Sequence, residues 1–354
     1  MSRDFPVAPE EFETGWVEQV FDATPGSLAG LTHEPVGTGQ VCDSYRFRCD
    51  WQEESHPATF VAKCPSRDAT SRGAAALFHL YDMEVGWYRD VAKDSGVSCP
   101  PPYHAEIGAD ETQFALLLGD MAPAEQGDQL AGADAATVAA ALHEAAALHA
   151  WRPKSGSFDD LAWLLHSAGN SGYMRQALPS LFKQFQPRFT GLLPEEVLDL
   201  GAELVARFDA YMDAAPQPEC IAHGDMRLDN ILFTAPREDG RPLAILVDWQ
   251  TCSMGHGAGD VAYLIGTSFA DPEDRRAQEK PLIAQYLQRR EALGAPADPD
   301  AFWDAYRRSA FAGYIMAINA AIHVERTERG DAMFAAMAER PAQMALDLES
   351  LSLV

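Results

Sequence analysis

Two stretches of this chain are more informative than the rest: Ile221-Ala-His-Gly-Asp-Met-Arg-Leu-Asp-Asn-Ile-Leu-Phe233 and Ala244-Ile-Leu-Val-Asp-Trp-Gln250. In the first, Asp225 and Asn230 lie five positions apart in a polar turn that runs into an apolar segment. In the second, Asp248 comes directly after an apolar run, which is typical of a strand that carries a carboxylate at its end. The turn-forming residues between the two apolar segments predict a hairpin. We therefore expect Asp225, Asn230 and Asp248 to lie close together.

These three side chains are of the kind that phosphoryl transfer requires. The reaction asks a protein to neutralise a triphosphate, to hold Mg²⁺ and to place an acceptor oxygen in line with the γ-phosphorus. In a kinase catalytic loop, an aspartate faces the acceptor hydroxyl and an asparagine five positions later reaches the metal. Asp225 is thus predicted to be the catalytic base, and Asn230 and Asp248 are predicted to be Mg²⁺ ligands. Alternatively, Asp225 merely caps the turn, but capping explains neither the asparagine nor the strand-end aspartate.

The motifs resemble those of a superfamily of small-molecule kinases. His223-Gly-Asp-x4-Asn230 with Val247-Asp-Trp-Gln250 is similar to the aminoglycoside phosphotransferase and choline kinase superfamily. The Asp-Trp-Gln form and the following Gly255-x-Gly257-x2-Asp260-Val-Ala-Tyr-Leu264 resemble most the ecdysteroid-kinase-like branch and related bacterial phosphotransferases. The resemblance implies a protein-kinase-like fold in which Asp260 braces the catalytic loop. Protein kinases typically show His-Arg-Asp, and the glycine at position 224 removes the arginine that a phosphorylated activation loop would contact, which disfavours a protein substrate.

The amino-terminal third shows short segments with strand character. They are Leu31–Val36, Tyr45–Cys49 and Thr59–Lys63. Between the first two, Gly37, Thr38 and Gly39 form a turn whose backbone amides could approach phosphates without obstruction by side chains. Most such glycine pairs are plain turns, so this signal is informative only together with the downstream motifs.

A lysine and a glutamate complete the predicted nucleotide site. Lys63 ends the third of these strands, where a kinase presents its lysine to the α and β phosphates. Glu84 follows 21 residues later, within Leu77–Val91, whose apolar residues recur at helical spacing. A glutamate on that helix can hold the lysine ammonium by a charge-assisted hydrogen bond. Without the downstream motifs, two unrelated surface charges would be the simpler interpretation.

A hinge is predicted where an apolar strand ends. Phe114–Leu118 runs into Gly119-Asp-Met-Ala-Pro123, where the composition changes from strand to loop. An adenine-binding hinge should fall here, and Leu118 and Asp120 are its candidate contacts. The resembling kinases often carry Glu-Asp at this point, whereas here the first residue is glycine.

Composition limits the classes of partner. A chain of 354 residues is long enough for two lobes that close on a ligand. With Lys+Arg 27 and Asp+Glu 53, the net charge is -26, which repels phosphate backbones, so neither nucleic acid nor an anionic membrane is expected as a partner. The charge is compatible with a cationic substrate, but a solvated acidic surface that serves solubility is the commoner explanation.

The cysteines and the termini point to the cytoplasm. The 6 cysteines form no Cys-x-x-Cys pair and no regular framework, so neither a structural zinc site nor a disulfide scaffold is indicated. The first residues are acidic where a secretory signal would be basic. The longest apolar stretch, Phe311–Ile322, is too short to span a membrane.

The expected architecture is α+β and protein-kinase-like, with a small, mainly β amino-terminal lobe and a larger, mainly α carboxy-terminal lobe. We place the lobes at residues 1–118 and 125–354, with the hinge at 119–124. The alanine- and leucine-rich segment Asp134–Trp151 resembles the long carboxy-lobe helix of the family. Helical periodicity predicts helices over Asp159–Phe189, Pro194–Ala214, Lys280–Leu293 and Ala301–Arg326. In the resembling enzymes, helices around and after the catalytic loop wall off the acceptor pocket.

The predicted function is ATP- and Mg²⁺-dependent transfer of a γ-phosphoryl group to a hydroxyl of a small molecule, such as an antibiotic, an amino alcohol or a steroid. Two alternatives stay open. One is a catalytically silent kinase-like module that binds nucleotide, and the other is a kinase that acts on a hydroxyacyl-CoA thioester. The acceptor, and the choice between ATP and GTP, depend on pocket shape rather than on these motifs.

Overall fold

The computed structural model describes residues 5–37, 41–166, 168–238, 240–324 and 326–354. The amino-terminal part contains an antiparallel sheet whose strands are β1 (Leu28–Pro35), β2 (Cys42–Trp51), β3 (Thr59–Pro65), β4 (Pro102–Ile107) and β5 (Phe114–Gly119). They stand in the order β1-β2-β3-β5-β4. The strand segments predicted in this part fall on β1, β2, β3 and β5 and are confirmed. All of β5 is buried, as its apolar sequence requires.

The helices of this part are α1 (Thr14–Val20), α2 (Ala69–Leu77) and α3 (Leu80–Gly86). The prediction of one continuous helix over Leu77–Val91 is wrong. His79 adopts the left-handed conformation with φ 56°, which a right-handed helix cannot accommodate, so α2 ends before it and α3 begins after it. Leu77, which the periodicity assigns to the apolar face, is 73% exposed. The segment Trp87–Val91 continues from α3 as a π-helical turn.

The rest of the chain is mainly helical. Its helices are α4 (Ala135–Ala150), α5 (Ala162–His166), α6 (Ala168–Phe189), α7 (Glu195–Ala206), α8 (Phe208–Asp213), α9 (Gly257–Ser268), α10 (Pro272–Ala292), α11 (Pro299–Arg308), α12 (Ala312–His323) and α13 (Glu328–Asp347). Its short strands are β6 (Glu125–Gln126), β7 (Cys220–Ala222), β8 (Ile231–Phe233), β9 (Ala244–Leu246) and β10 (Ser253–Gly255). The hairpin expected between the two motif stretches is confirmed as the antiparallel pair β8 and β9. Strand β7 pairs with β10.

The predicted fold class is confirmed. A small, mainly β amino-terminal lobe is followed by a larger, mainly α carboxy-terminal lobe, which together form an α+β molecule. The lobe boundaries given above stay a prediction. Along the described residues, no helix combines the length and the apolarity that crossing a bilayer would require.

A pair of stacked tryptophans connects α3 with the segment after β9. Trp87 follows α3 directly, and Trp249 lies three residues beyond the end of β9. Their ring centroids are 3.6 Å apart with an interplanar angle of 10°, and both side chains are fully buried. Burial of two indole faces against each other removes a large apolar area from water. The pair therefore fixes the distance between α3 and the second motif stretch.

We expect Trp87→Ala to lower the free energy of unfolding by about 3–5 kcal/mol, because it deletes a fully buried indole and leaves a cavity against Trp249. Leu77→Ala is the control, since this exposed side chain should contribute no more than about 0.5 kcal/mol. Urea unfolding measures both. Equal midpoints for the two variants would show that the stack does not support the fold.

Candidate active site

The first motif stretch turns sharply at a glycine. Strand β7 ends at Ala222, and Gly224 then takes a φ of 80°, which residues with a side chain rarely adopt. A Cβ at this position would lie 2.4 Å from the carbonyl oxygen of Thr251. Glycine is thus required for both conformation and space.

The side chain of Asp260 holds the backbone of this turn in place. At the start of α9, it accepts hydrogen bonds from the backbone N–H of His223 at 2.6 Å and of Gly224 at 3.0 Å. Nε2 of His149 lies 3.0 Å from the same carboxylate, and Nδ1 of His149 lies 2.7 Å from the hydroxyl of Tyr286. Burial would raise the pKa of Asp260, but the hydrogen bond and charge of His149 lower it. The bracing contacts implied by the family resemblance are therefore present.

Asp225 is held at both carboxylate oxygens. Nδ2 of Asn230 donates to Oδ2 at 2.7 Å, and the hydroxyl of Tyr263 donates to Oδ1 at 2.6 Å. Nε of Arg227 also donates to Oδ2, at 3.3 Å. The side chain of Asp225 remains 18% exposed, so it is oriented but still accessible.

Sequence reasoning assigned no role to Tyr263, although a signal was available. Tyr263 lies three residues after Asp260 on α9, and side chains at that spacing share a helix face. Burial and the charge of Asp225 raise the pKa of Tyr263 well above its usual range, so the phenol keeps its proton and remains a donor. One helix thus holds both the backbone of the turn and the carboxylate of Asp225.

The second motif stretch brings Asp248 beside Asn230. The backbone N–H of Val247 donates to the carbonyl of Asn230 at 3.0 Å, directly beyond the hairpin of β8 and β9. Nε2 of His223 lies 3.0 Å from the carbonyl of Val247, and His223 is buried. Asp248 itself has a φ of 68°, a strained conformation for a residue with a side chain and one that is frequent at functional sites.

The ion pair expected between Lys63 and Glu84 is present. Nζ of Lys63 lies 2.5 Å from Oε1 of Glu84 and 3.3 Å from Oδ1 of Asp248. Nε2 of Gln250 also donates to Asp248. The structure therefore brings Lys63, Glu84 and Asp248 into one network, next to the pair Asp225 and Asn230.

Opposing effects determine the charges of this network. Burial would lower the pKa of Lys63, but its acidic neighbours Cys42, Glu84 and Asp248 raise it well above its usual range. For Asp248, burial would raise the pKa, and the charge of Lys63 lowers it overall. For Glu84, burial raises the pKa despite Lys63. The lysine therefore stays cationic, and Asp248 is available as an anionic ligand.

The predicted hinge and glycine turn are only partly described. Gly37 follows β1 with a φ of 76°, whereas Thr38 and Gly39 lie outside the described residues. Leu118 is buried in β5. Their contacts with a nucleotide stay predictions.

Asp120 has a partner that sequence reasoning missed. Its carboxylate accepts two hydrogen bonds from Arg46, from Nε at 2.8 Å and Nη2 at 3.1 Å. The glycine at position 119 also has a packing reason, because a Cβ there would lie 2.7 Å from Cγ of Pro101. The predicted hinge is thus joined to β2 by an ion pair and lies tightly against Pro101, the residue before β4.

Comparison with known proteins identifies the family and the fold of the chain. A sequence profile of the phosphotransferase enzyme family matches residues 51–343. Among solved structures, a Ralstonia eutropha protein assigned as an aminoglycoside phosphotransferase is 17% identical, with a TM-score of 0.54 over 94% of this chain and 96% of that chain. An ethanolamine kinase from Plasmodium vivax is 10% identical, with a TM-score of 0.54 over 96% of this chain and 87% of that chain.

One curated relative is similar over a shorter stretch. Acyl-CoA dehydrogenase family member 11 from Rattus norvegicus is 32% identical over 116 residues. The match covers 30% of this chain and 14% of that protein, so this chain corresponds to a small part of the relative's length.

The fold and the profile together define the class. The chain belongs to the phosphotransferase enzyme family. It is a phosphotransferase with the two-lobed, kinase-like fold, and the resemblance to aminoglycoside phosphotransferases and choline kinases is confirmed. The closer relation to the ecdysteroid-kinase-like branch stays a prediction.

We expect Asp260→Asn to lower the free energy of unfolding by about 1.5–3 kcal/mol at pH 7, since hydrogen bonds to a charged acceptor are lost. The pKa of Asp260 is below its usual value of 3.8 in the native state, so its stabilising effect is complete above that pH and declines as the pH falls toward the native pKa. Urea unfolding between pH 7 and acid should show the two proteins converging at low pH. Asp199→Asn, at an exposed position on α7, is the control. A difference in the free energy of unfolding between Asp260→Asn and the unsubstituted protein that did not change with pH would contradict this assignment.

Proposed function

We propose that this phosphotransferase moves the γ-phosphoryl group of ATP to a hydroxyl of a small molecule in a Mg²⁺-dependent reaction. The observation that carries the proposal is the juxtaposition of two networks, Asp225 with Asn230 and Asp248 with Lys63 and Glu84. They are joined by the hydrogen bond from the backbone N–H of Val247, the residue before Asp248, to the carbonyl of Asn230. Phosphoryl transfer needs a group that orients the acceptor, ligands for a metal and a cation for the phosphates, and the side chains of these networks would supply one of each.

In this proposal Asp225 orients the acceptor hydroxyl and takes its proton. The hydrogen bonds from Asn230 and Tyr263 fix both carboxylate oxygens, so the carboxylate is already positioned before the acceptor arrives. Such positioning is the main contribution that a protein can make to this type of reaction.

Asn230 and Asp248 would hold Mg²⁺. The donor set fits, because Nδ2 of Asn230 points to Asp225 and leaves the amide oxygen available, while Asp248 is kept anionic by Lys63. Oxygen ligands of this type suit Mg²⁺. When bound, the ion neutralises charge on the transferring phosphate.

Lys63 would contact the α and β phosphates. Glu84 holds the ammonium group of Lys63 in an extended position. Because Glu84 is buried, its side chain has few alternative positions. The backbone around Gly37, Thr38 and Gly39 would cover the phosphates, and the hinge near Leu118 and Asp120 would contact adenine. These assignments follow from the predicted nucleotide site.

A small-molecule acceptor is favoured over a protein. The two solved structures with similar folds are assigned as an aminoglycoside phosphotransferase and an ethanolamine kinase, whose named acceptors are small molecules. The turn at Gly224 also lacks the arginine of a protein kinase loop. A cytoplasmic location is part of this proposal, because the cysteines form no regular disulfide framework.

A second candidate function is phosphorylation of a hydroxyacyl-CoA thioester. It is favoured by the 116-residue similarity to a protein that is named an acyl-CoA dehydrogenase. A screen of ATP consumption across aminoglycosides, amino alcohols, steroids and hydroxyacyl-CoA esters separates the two candidates. Nucleotide binding without acceptor-dependent consumption of ATP would instead favour the catalytically silent module.

With the acceptor from that screen, we expect Asp225→Ala to retain the fold and to lose on the order of 10²- to 10⁴-fold in turnover, the range for a positioned base. Asp199→Ala, which removes an exposed carboxylate, is the matched control and should retain normal turnover. Turnover is measured under saturating ATP and acceptor. Near-normal turnover of Asp225→Ala would remove this residue from the role of base.

We expect Asp248→Ala to abolish the Mg²⁺-dependent part of nucleotide binding, because it removes the anionic ligand and leaves Lys63 with a single carboxylate partner. Calorimetric titration of ATP with and without Mg²⁺ measures the effect in the variant and in Asp199→Ala. An unchanged gain in affinity on adding Mg²⁺ would exclude Asp248 as a ligand.

A further inference from the structure

Three side chains that could bind a metal form a group that shares no residue with the networks around Asp225 and Asp248. His79 stands at the start of α3, Glu111 in the turn between β4 and β5, and His166 at the end of α5. Each offers a ligand atom, and these atoms all lie within 4.8 Å of one another. Nδ1 of His79 is 2.5 Å from Oε2 of Glu111. Three separate parts of the chain thus converge on one point.

The two imidazoles lie almost against each other. Their ring centroids are 4.2 Å apart, with an interplanar angle of 34°. Oδ2 of Asp82 lies 3.0 Å from Nδ1 of His166, which adds a second carboxylate to the group. Two imidazoles at this distance repel each other when both are protonated, whereas a divalent cation binds both in the neutral form.

A hydrogen bond explains the contact between His79 and Glu111 but not the close approach of the two imidazoles. Nδ1 of His166 is buried. Oδ2 of Asp82 lies 3.0 Å from it, but the angles are not those of a hydrogen bond, and no other described residue forms one with this atom. His79 and Glu111 both have a φ of 56°, a left-handed conformation that is uncommon for residues with a side chain. All three side chains are about one-third exposed, so an ion could reach them from solvent.

We propose that His79, Glu111 and His166 bind a divalent transition metal, for which Zn²⁺ fits best. Two imidazoles and one carboxylate form a common zinc ligand set, whereas Mg²⁺ prefers oxygen ligands alone. The site is separate from Asn230 and Asp248 and does not require the proposed kinase reaction.

The position of the site gives the metal a structural role. Helices α3 and α5 already pack directly, because a Cβ at Gly86 would lie 2.5 Å from Cγ of Trp163. A metal joined to His79 and His166 ties these two helices together at their exposed ends. Glu84 lies on α3, five residues after His79, so the same link holds the helix that carries the partner of Lys63.

The test is titration of the tag-free, full-length chain with Zn²⁺, in millimolar Mg²⁺ so that the oxygen-ligand site is occupied. We expect one tight zinc site in the natural protein and roughly 10- to 100-fold weaker binding, or weaker still, in His79→Ala and His166→Ala. His143→Ala, which removes an exposed histidine on α4, is the matched control and should bind zinc normally. Equal affinity in His166→Ala and His143→Ala would overturn the proposal.

Two further measurements distinguish this site from the thiols and from misfolding. With Co²⁺ in place of Zn²⁺, nitrogen and oxygen ligands should produce visible d–d bands without the near-ultraviolet charge-transfer band of thiolates; a thiolate band would assign the metal to cysteine instead. Zn²⁺ should raise the unfolding temperature of the natural protein and of His143→Ala but not that of His166→Ala. An equal rise in all three would place the zinc elsewhere.

Discussion

A chain of three charges, of which Lys63 and Glu84 are buried and Asp248 is partly exposed, joins the two lobes, and the geometry of the candidate active site follows from it. Glu84 on α3 holds Lys63 on β3, and Lys63 reaches Asp248 beyond β9. An ion removed from water costs several kcal/mol unless it is paired. Any displacement of α3 that separates Glu84 from Lys63 would leave a carboxylate unpaired in an apolar environment. The position of a helix in one lobe is therefore tied to the position of Asp248, the proposed metal ligand, in the other.

Helix α9 fixes the turn that contains His223, Gly224 and Asp225. The turn has no regular secondary structure of its own, and its backbone amides at His223 and Gly224 are satisfied by the side chain of Asp260. Tyr263, on the same helix, orients Asp225. The geometry of the proposed base is thus set by a rigid element rather than by the loop on which the base lies, which is the arrangement that positional precision requires.

Much of this site could be predicted because phosphoryl transfer demands particular residue types at particular spacings. Both the hairpin of β8 and β9 and the ion pair between Lys63 and Glu84 could be predicted from such spacings. The contact between Arg46 and Asp120 was not, because the two residues are 74 positions apart and depend on how β2 lies beside the hinge. The helix break at His79 could not be predicted either, because the apolar periodicity continues through it. Only tertiary contacts select the left-handed conformation at this residue.

The stacked pair Trp87 and Trp249 has a mechanical consequence. Two parallel indole planes 3.6 Å apart present smooth faces with no interlocking branches. Pulling them apart would open a void, whereas sliding one over the other keeps most of the contact area. The stack therefore resists separation of α3 from the Asp248 segment more strongly than it resists a small shear in the plane of the rings.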